Sequence, residues 1–180
     1  MKKFFTALCA IVALLSVPAC QPEEKPEEDK IDHVEFRSEF KMSQDVIDNF
    51  DLVYDILSNN KSIASGTMSG EFKPIEVKSG IIDGPFEVHI NFKATDKIFK
   101  EWDMWKEYVV SKDCYIALYS ISKKGVEKEL ISVSFELHDA TYSTFVEENL
   151  PQIVSYMEDA LAINEKFLIQ DNGSYVHYGD

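Results

Sequence analysis

"PFEVHINFKATDK", Pro85 to Lys97, carries the cleanest pattern in the chain. Phe86, Val88, Ile90, Phe92 and Ala94 share one parity, and Glu87, His89 and Asn91 the other. A strand turns successive side chains to opposite faces, so this alternation predicts a strand with one face in a core and His89 toward solvent. "Asp83-Gly84-Pro85" sets its start. The same period recurs on either side. Val34, Phe36, Phe40 and Met42 share a parity in "HVEFRSEFKM", as do Phe50, Leu52, Tyr54 and Ile56 in "FDLVYDIL". "SNNK" then reads as a turn. Residues Ser62 to Phe72 alternate weakly and contain Gly66 and Gly70, the mark of an edge or bulged strand. "IEVKSG" adds a short strand. Cys114 to Ile121 is apolar on both parities, which predicts a central strand covered on both faces. After "SKKG" turns the chain, Ile131, Val133, Phe135 and Leu137 alternate again. About seven short strands separated by turn signals predict a mainly β fold, an antiparallel sandwich.

The period changes near the end. Phe145, Leu150, Ile153, Val154, Met157 and Leu161 recur at helical spacing and predict a helix from about Leu150 to Ile163. Asn149 is its expected cap, Pro151 sits in its first turn, and Glu158 and Asp159 should face solvent. "KFLIQDNGSYVHYGD" then predicts a terminal hairpin turning at Asp171-Asn172-Gly173. The layout from Val34 to Leu137, with "PFEVHINFKATDK" followed by a loop and "CYIALYSISKKG", resembles small Bacteroidetes surface lipoproteins with immunoglobulin-like β-sandwiches. The resemblance implies an immunoglobulin-like sandwich. The terminal helix and hairpin fall outside it.

The first residues read as a signal. Lys2 and Lys3 precede an apolar run from Phe4 to Val17. That run is too short to span a bilayer comfortably, since a spanning helix needs about 20 residues. Val17-Pro18-Ala19-Cys20 resembles the lipobox of bacterial lipoprotein precursors, in which the cysteine is lipidated on sulfur and becomes the new N-terminus. Val17 and Ala19 also suit an ordinary signal peptidase, which would leave a secreted protein with a free terminal thiol. Several acyl chains hold a protein firmly where one holds it only marginally, so a lipid on Cys20 would anchor the chain without a transmembrane helix. Gln21 to Lys30 carries Glu23, Glu24, Glu27, Glu28 and Asp29 with Pro22 and Pro26, and reads as an extended tether. It resembles the acidic signals that follow the lipidated cysteine in Bacteroidetes lipoproteins, which implies an outer-membrane, cell-surface address. The expected organisation is a signal peptide at 1–19, a lipidated cysteine and tether at 20–32, and one sandwich domain at 33–180.

Charge and motifs narrow the function. The chain carries a net −14, and cleavage before Cys20 removes Lys2 and Lys3 to leave −16. That balance argues against a nucleic-acid surface and against lying flat on anionic lipid. With Cys20 lipidated, Cys114 would have no disulfide partner and reads as a small buried hydrophobe. His33, His89, His138 and His177 form no His-x-His or His-x₃-His pair. No Gly-rich phosphate loop, Gly-x-Ser-x-Gly or Cys-x-x-Cys occurs. No catalytic residue, metal or cofactor is therefore assigned. One stretch stands out, "FKEWDMWKEYVVS" at Phe99 to Ser111, which holds both tryptophans, Trp102 and Trp105. Flanked by carboxylates, they suit stacking on a sugar. Phe99, Trp102, Trp105 and Tyr108 at near-helical spacing also suit a plug that buries its area at one end of the sandwich. The expectation is a non-enzymatic binding or structural module, held to a membrane by lipid, with an unidentified protein or glycan partner. The alternative is a surface carbohydrate-binding accessory protein using Trp102 and Trp105.

Overall fold

The computed structural model describes residues 30–80, 84–104, 106–170 and 175–178. The chain is mainly β and forms two antiparallel sheets. In sequence the elements are β1 (Ile31–Met42), α1 (Gln44–Asn49), β2 (Phe50–Ser58), β3 (Lys61–Ser69), β4 (Glu76–Ser79) and β5 (Gly84–Ala94). After them come α2 (Asp96–Lys100), β6 (Glu107–Ser122), β7 (Glu127–Ser143), α3 (Leu150–Leu161), β8 (Ile163–Ile169) and β9 (Tyr175–Tyr178). The first sheet has the order β4-β1-β6-β7 and the second β3-β2-β5-β8-β9. They close on one core. Phe36 of β1 stacks on Phe86 of β5 at 6.1 Å between ring centroids, and Phe72 meets Phe92 edge-on at 5.6 Å. Phe86, Val88, Ile90 and Phe92 are buried as their parity requires, while His89 lies toward solvent.

The turns follow their residues. Asn59 and Asn60 take positive φ angles of 51° and 59°, the conformation a two-residue hairpin needs between right-twisted strands. Gly125 at φ 77° closes the β6–β7 turn, donating its N–H to the Ser122 carbonyl at 2.8 Å. Gly66 lies opposite Tyr54, and a Cβ there would meet the Tyr54 hydroxyl at 2.9 Å. β3 is accordingly an edge strand, in keeping with its weak pattern, with a register shift near Ile56 on its partner.

Several expectations are corrected. Seven strands precede the helix, as expected, but the terminal hairpin does not stand apart from the sandwich: β8 pairs with β5 and extends the second sheet, giving nine strands among the described residues. The Asp171-Asn172-Gly173 turn lies outside the described residues. β1 and β2 lie in different sheets, whereas the first two strands of an immunoglobulin constant domain are neighbours in one sheet. β6 is central, but among the described residues no second layer covers its outer face. There Tyr115, Tyr119 and Ile121 are half-buried by neighbouring side chains. α3 ends at Leu161, and Ile163 already belongs to β8. Asn149 makes no side-chain cap; it closes a single 3-10 turn at Glu147–Asn149 that runs into the helix. Phe145 precedes that turn and is 65% exposed. Glu158 does not simply face water. Its Oε1 accepts the Ala94 N–H at 2.8 Å, beyond the last β5–β8 pair at Ile90 and Ile163.

The ends of the molecule differ. β1 starts at Ile31, two residues ahead of the expected domain boundary, opposite Ser122 at the end of β6. β6 begins at Glu107, roughly 50 Å away along the strand. α1, α2 and the connection from α2 to β6 occupy that far end.

Candidate functional site

The far end holds the residue singled out by composition. α2 is one short turn after β5, and Trp102 follows two residues beyond its end. Trp102 is half-buried and packs against the main core. Its indole Nε1 is buried and meets no acceptor among the described residues. Tyr108, at the start of β6, is buried beneath the same connection and donates its hydroxyl to the Ile98 carbonyl at 3.4 Å. Burial pushes the Tyr108 phenol above its ordinary pKa. Lys106 sits over the Tyr108 ring at 5.0 Å. Phe99 and Met104 are 41% and 43% exposed. Trp105 and Cys20 lie outside the described residues. Of the three residues assigned a role from sequence, only Trp102 can thus be placed, and it gives most of its surface to the core.

A second grouping is only partly local, joining Asp32, His33, Glu35 and Arg37 of β1 to residues of other strands. The outer face of the first sheet is tied together around Arg37, the only arginine in the chain. Its Nη1 and Nη2 donate to the two Glu127 oxygens at 2.9 and 2.6 Å, and Nη2 also reaches Glu35 at 2.6 Å. The guanidinium lies 4.4 Å from the Tyr119 ring centroid. Glu35 also takes Lys78 Nζ at 2.6 Å and His33 Nε2 at 3.1 Å, while His33 Nδ1 faces Asp32 at 2.8 Å. Lys78, Arg37 and His33 together hold the Glu35 carboxyl down to about 2. Asp32 and then Glu35 raise the His33 imidazole above its usual 6.5. The hydrogen bond between Tyr119 and Tyr115, with burial, pushes the Tyr119 phenol up to about 12. The patch laces β4, β1, β6 and β7 together. Its charges are bonded to one another, so it reads as a brace rather than a proton-transfer site.

A cavity of about 250 Å³ opens nearby, lined among others by Lys41, Met42, Ser111, His138 and Asp139. It sits at a β-bulge: Val110 pairs with Ala140 but Lys112 with Leu137. Lys112 carries a charge on the inward parity. It spends that charge on the end of α3, donating to the Leu161 and Ala162 carbonyls at 3.1 and 3.2 Å. Cations are favourable at this negative end of a helix. Burial holds the Lys112 amine below its ordinary value. Cys114, two residues on, is fully buried, and burial pushes its thiol up to about 12. It is held protonated at neutral pH, unlike a nucleophilic cysteine. Among the described residues no three His, Cys, Asp or Glu side chains gather as a metal group, and no helix is long and apolar enough to cross a membrane.

Comparison with protein families, curated proteins and solved structures found no match.

Proposed function

We propose that this chain is a lipid-anchored protein of the bacterial outer membrane, exposed at the cell surface, acting as a non-enzymatic binding or structural module. The observation that carries the reading is the order of its first thirty residues. A charged start and short apolar run lead to Val17-Pro18-Ala19-Cys20, an acidic proline-bearing run follows, and a strand begins at Ile31. The placement of β1 supports it further. The tether joins the end of the sandwich that carries the β6–β7 turn, so the far end with Trp102 would stand away from the lipid. The net negative charge favours a domain held off an anionic surface.

The test is Cys20→Ser. Metabolic palmitate labelling and detergent-phase partitioning should both be lost. Labelling that persists in the variant would remove the lipid anchor. Deleting Gln21 to Lys30 should leave folding stability within about 0.5 kcal/mol and shift the protein away from the outer face. Protease shaving of whole cells reads that shift.

The carbohydrate-binding alternative rests on Trp102 with the exposed Phe99 and Met104 beside it. It requires an exposed indole face, and Trp102 packs largely inward. A glycan-array screen of the full-length chain, repeated on Trp102→Ala, decides between them.

A further inference from the structure

The two sheets are unequal. β4 lies beside β3 at one edge of the sandwich. Toward the other edge, Phe36, Ile116, Leu118, Ile131, Val133 and Phe167 share one interior space, which sets β8 over β6 and β7. The second sheet then continues to β9, while the first ends at β7. β9 therefore overhangs. Its inner-parity residues are Tyr175, which is 42% exposed, and His177, which stacks on Phe167 at 5.0 Å and bonds to Glu165. On the facing sheet, Val133, Phe135 and Leu137 of β7 are only half-buried although they sit on the core parity.

We infer that the edge of β7, which no strand among the described residues pairs, is a docking site for an extended strand of a partner protein. Apolar side chains of that strand would point inward and basic side chains outward. This rests on the binding-module reading and gives it a partner class. The edge is suited in length and form. β7 has irregular register at Leu130 and again at His138–Asp139, and between them Ile131 to Leu137 runs without a break. Proline, lysine, inward charge and bulges are the usual devices that blunt an edge. None interrupts this seven-residue stretch. An added strand would pair its backbone with β7 and set alternate side chains over Val133, Phe135 and Tyr175, the mode known as β-augmentation. Charge selects the occupant. The outward parity beside this edge carries Glu129 and Glu136, both exposed. A second copy paired through β7 would add its own two carboxylates to the same outward face, where like charges across strands are destabilising. The chain's own run from Gln21 to Asp29 is acidic too. Lysine or arginine at alternate positions meets the edge best.

The probe is a nine-residue peptide alternating lysine and valine, added to the full-length chain. Its controls are a glutamate–valine peptide and a lysine–valine peptide of the same composition in block order. Fluorescence anisotropy should show saturable binding of the alternating lysine peptide alone. Amide exchange at residues 131–137 should slow at least tenfold in the complex. E129K/E136K should reverse the preference toward the glutamate peptide. Equal binding of the block peptide, protection elsewhere than 131–137, or an unchanged preference in E129K/E136K would overturn the inference. So would self-association of the chain with those amides already protected. Such failures leave the lipid anchor standing, because palmitate labelling at Cys20 is read independently.

Discussion

Glu35 shows how a single side chain sets a pH response. It is 13% exposed, bonded to Lys78, Arg37 and His33, and held down to about 2. Its folded value lies below the ordinary 4.5, so the unfolded chain takes up the proton first as pH falls. The stabilisation is therefore complete above about 4.5 and is lost as pH drops toward 2. Glu35→Gln should cost roughly 1–2 kcal/mol at pH 6, less than the full shift because solvent screens the rim of the patch. Urea titrations should show the two proteins converging near pH 2. His33 has the opposite sign: its raised value contributes below pH 6.5 and fades as pH rises through the folded value. Trp102 is the other residue with a measurable signature. Truncation to alanine should cost about 2–4 kcal/mol, since it removes packing against the core but from a half-buried position. Trp102→Phe should cost far less, because it also removes a buried N–H that has no acceptor among the described residues. Equal losses in the two variants, read by chemical denaturation, would show that the indole nitrogen is satisfied after all.

At the scale of elements, the β6–β7 hairpin gives the cleanest test. Gly125 has φ 77° and open space where a Cβ would stand, so only backbone strain opposes a side chain. Gly125→Ala should cost about 1–2 kcal/mol, and Gly125→Asn less, because asparagine tolerates the left-handed region. Thermal melts of the two variants should rank them in that order. The same hairpin shows what is readable from the residues. β5 is legible because its outer parity is plainly polar, and "SKKG" marks the turn. β6 suggests two covered faces because Tyr115, Ala117, Tyr119 and Ile121 hide the two-residue period. Of these, Tyr119 lies under the flat Arg37 guanidinium, with no second layer above it among the described residues. Lys112 between Val110 and Cys114 is a visible sign that an inward position has a charge to satisfy. The carbonyls that satisfy it lie about 50 residues onward at the end of α3, beyond the reach of local pattern. Glu158 is unreadable for the same reason, since its bond depends on where β5 stops. The lone arginine of the chain is a compositional signal, but beyond Glu35 on its own strand its partners Glu127 and Tyr119 come from other strands.

For the whole molecule, alternation tells which face each strand buries but not which strands are neighbours. That β8 joins β5, or that one sheet outgrows the other by a strand, follows from pairing and not from period. The terminal hairpin is legible as a hairpin and illegible as part of the sandwich. Of the candidate site, the tryptophan-bearing connection is recognisable, while the brace around Arg37 needs several strands brought side by side. Cys114 adds a practical consequence. It lies within the closed sandwich, fully buried and held protonated. In a Cys9→Ala/Cys20→Ser chain it would be the sole thiol, and a maleimide dye could reach it only when the sheets part. The labelling rate then becomes a clock for opening of the native fold. It should track the unfolding rate in denaturant and fall below detection on the hour scale in buffer. Rapid labelling in buffer would mean that the sandwich breathes far more than its packing implies.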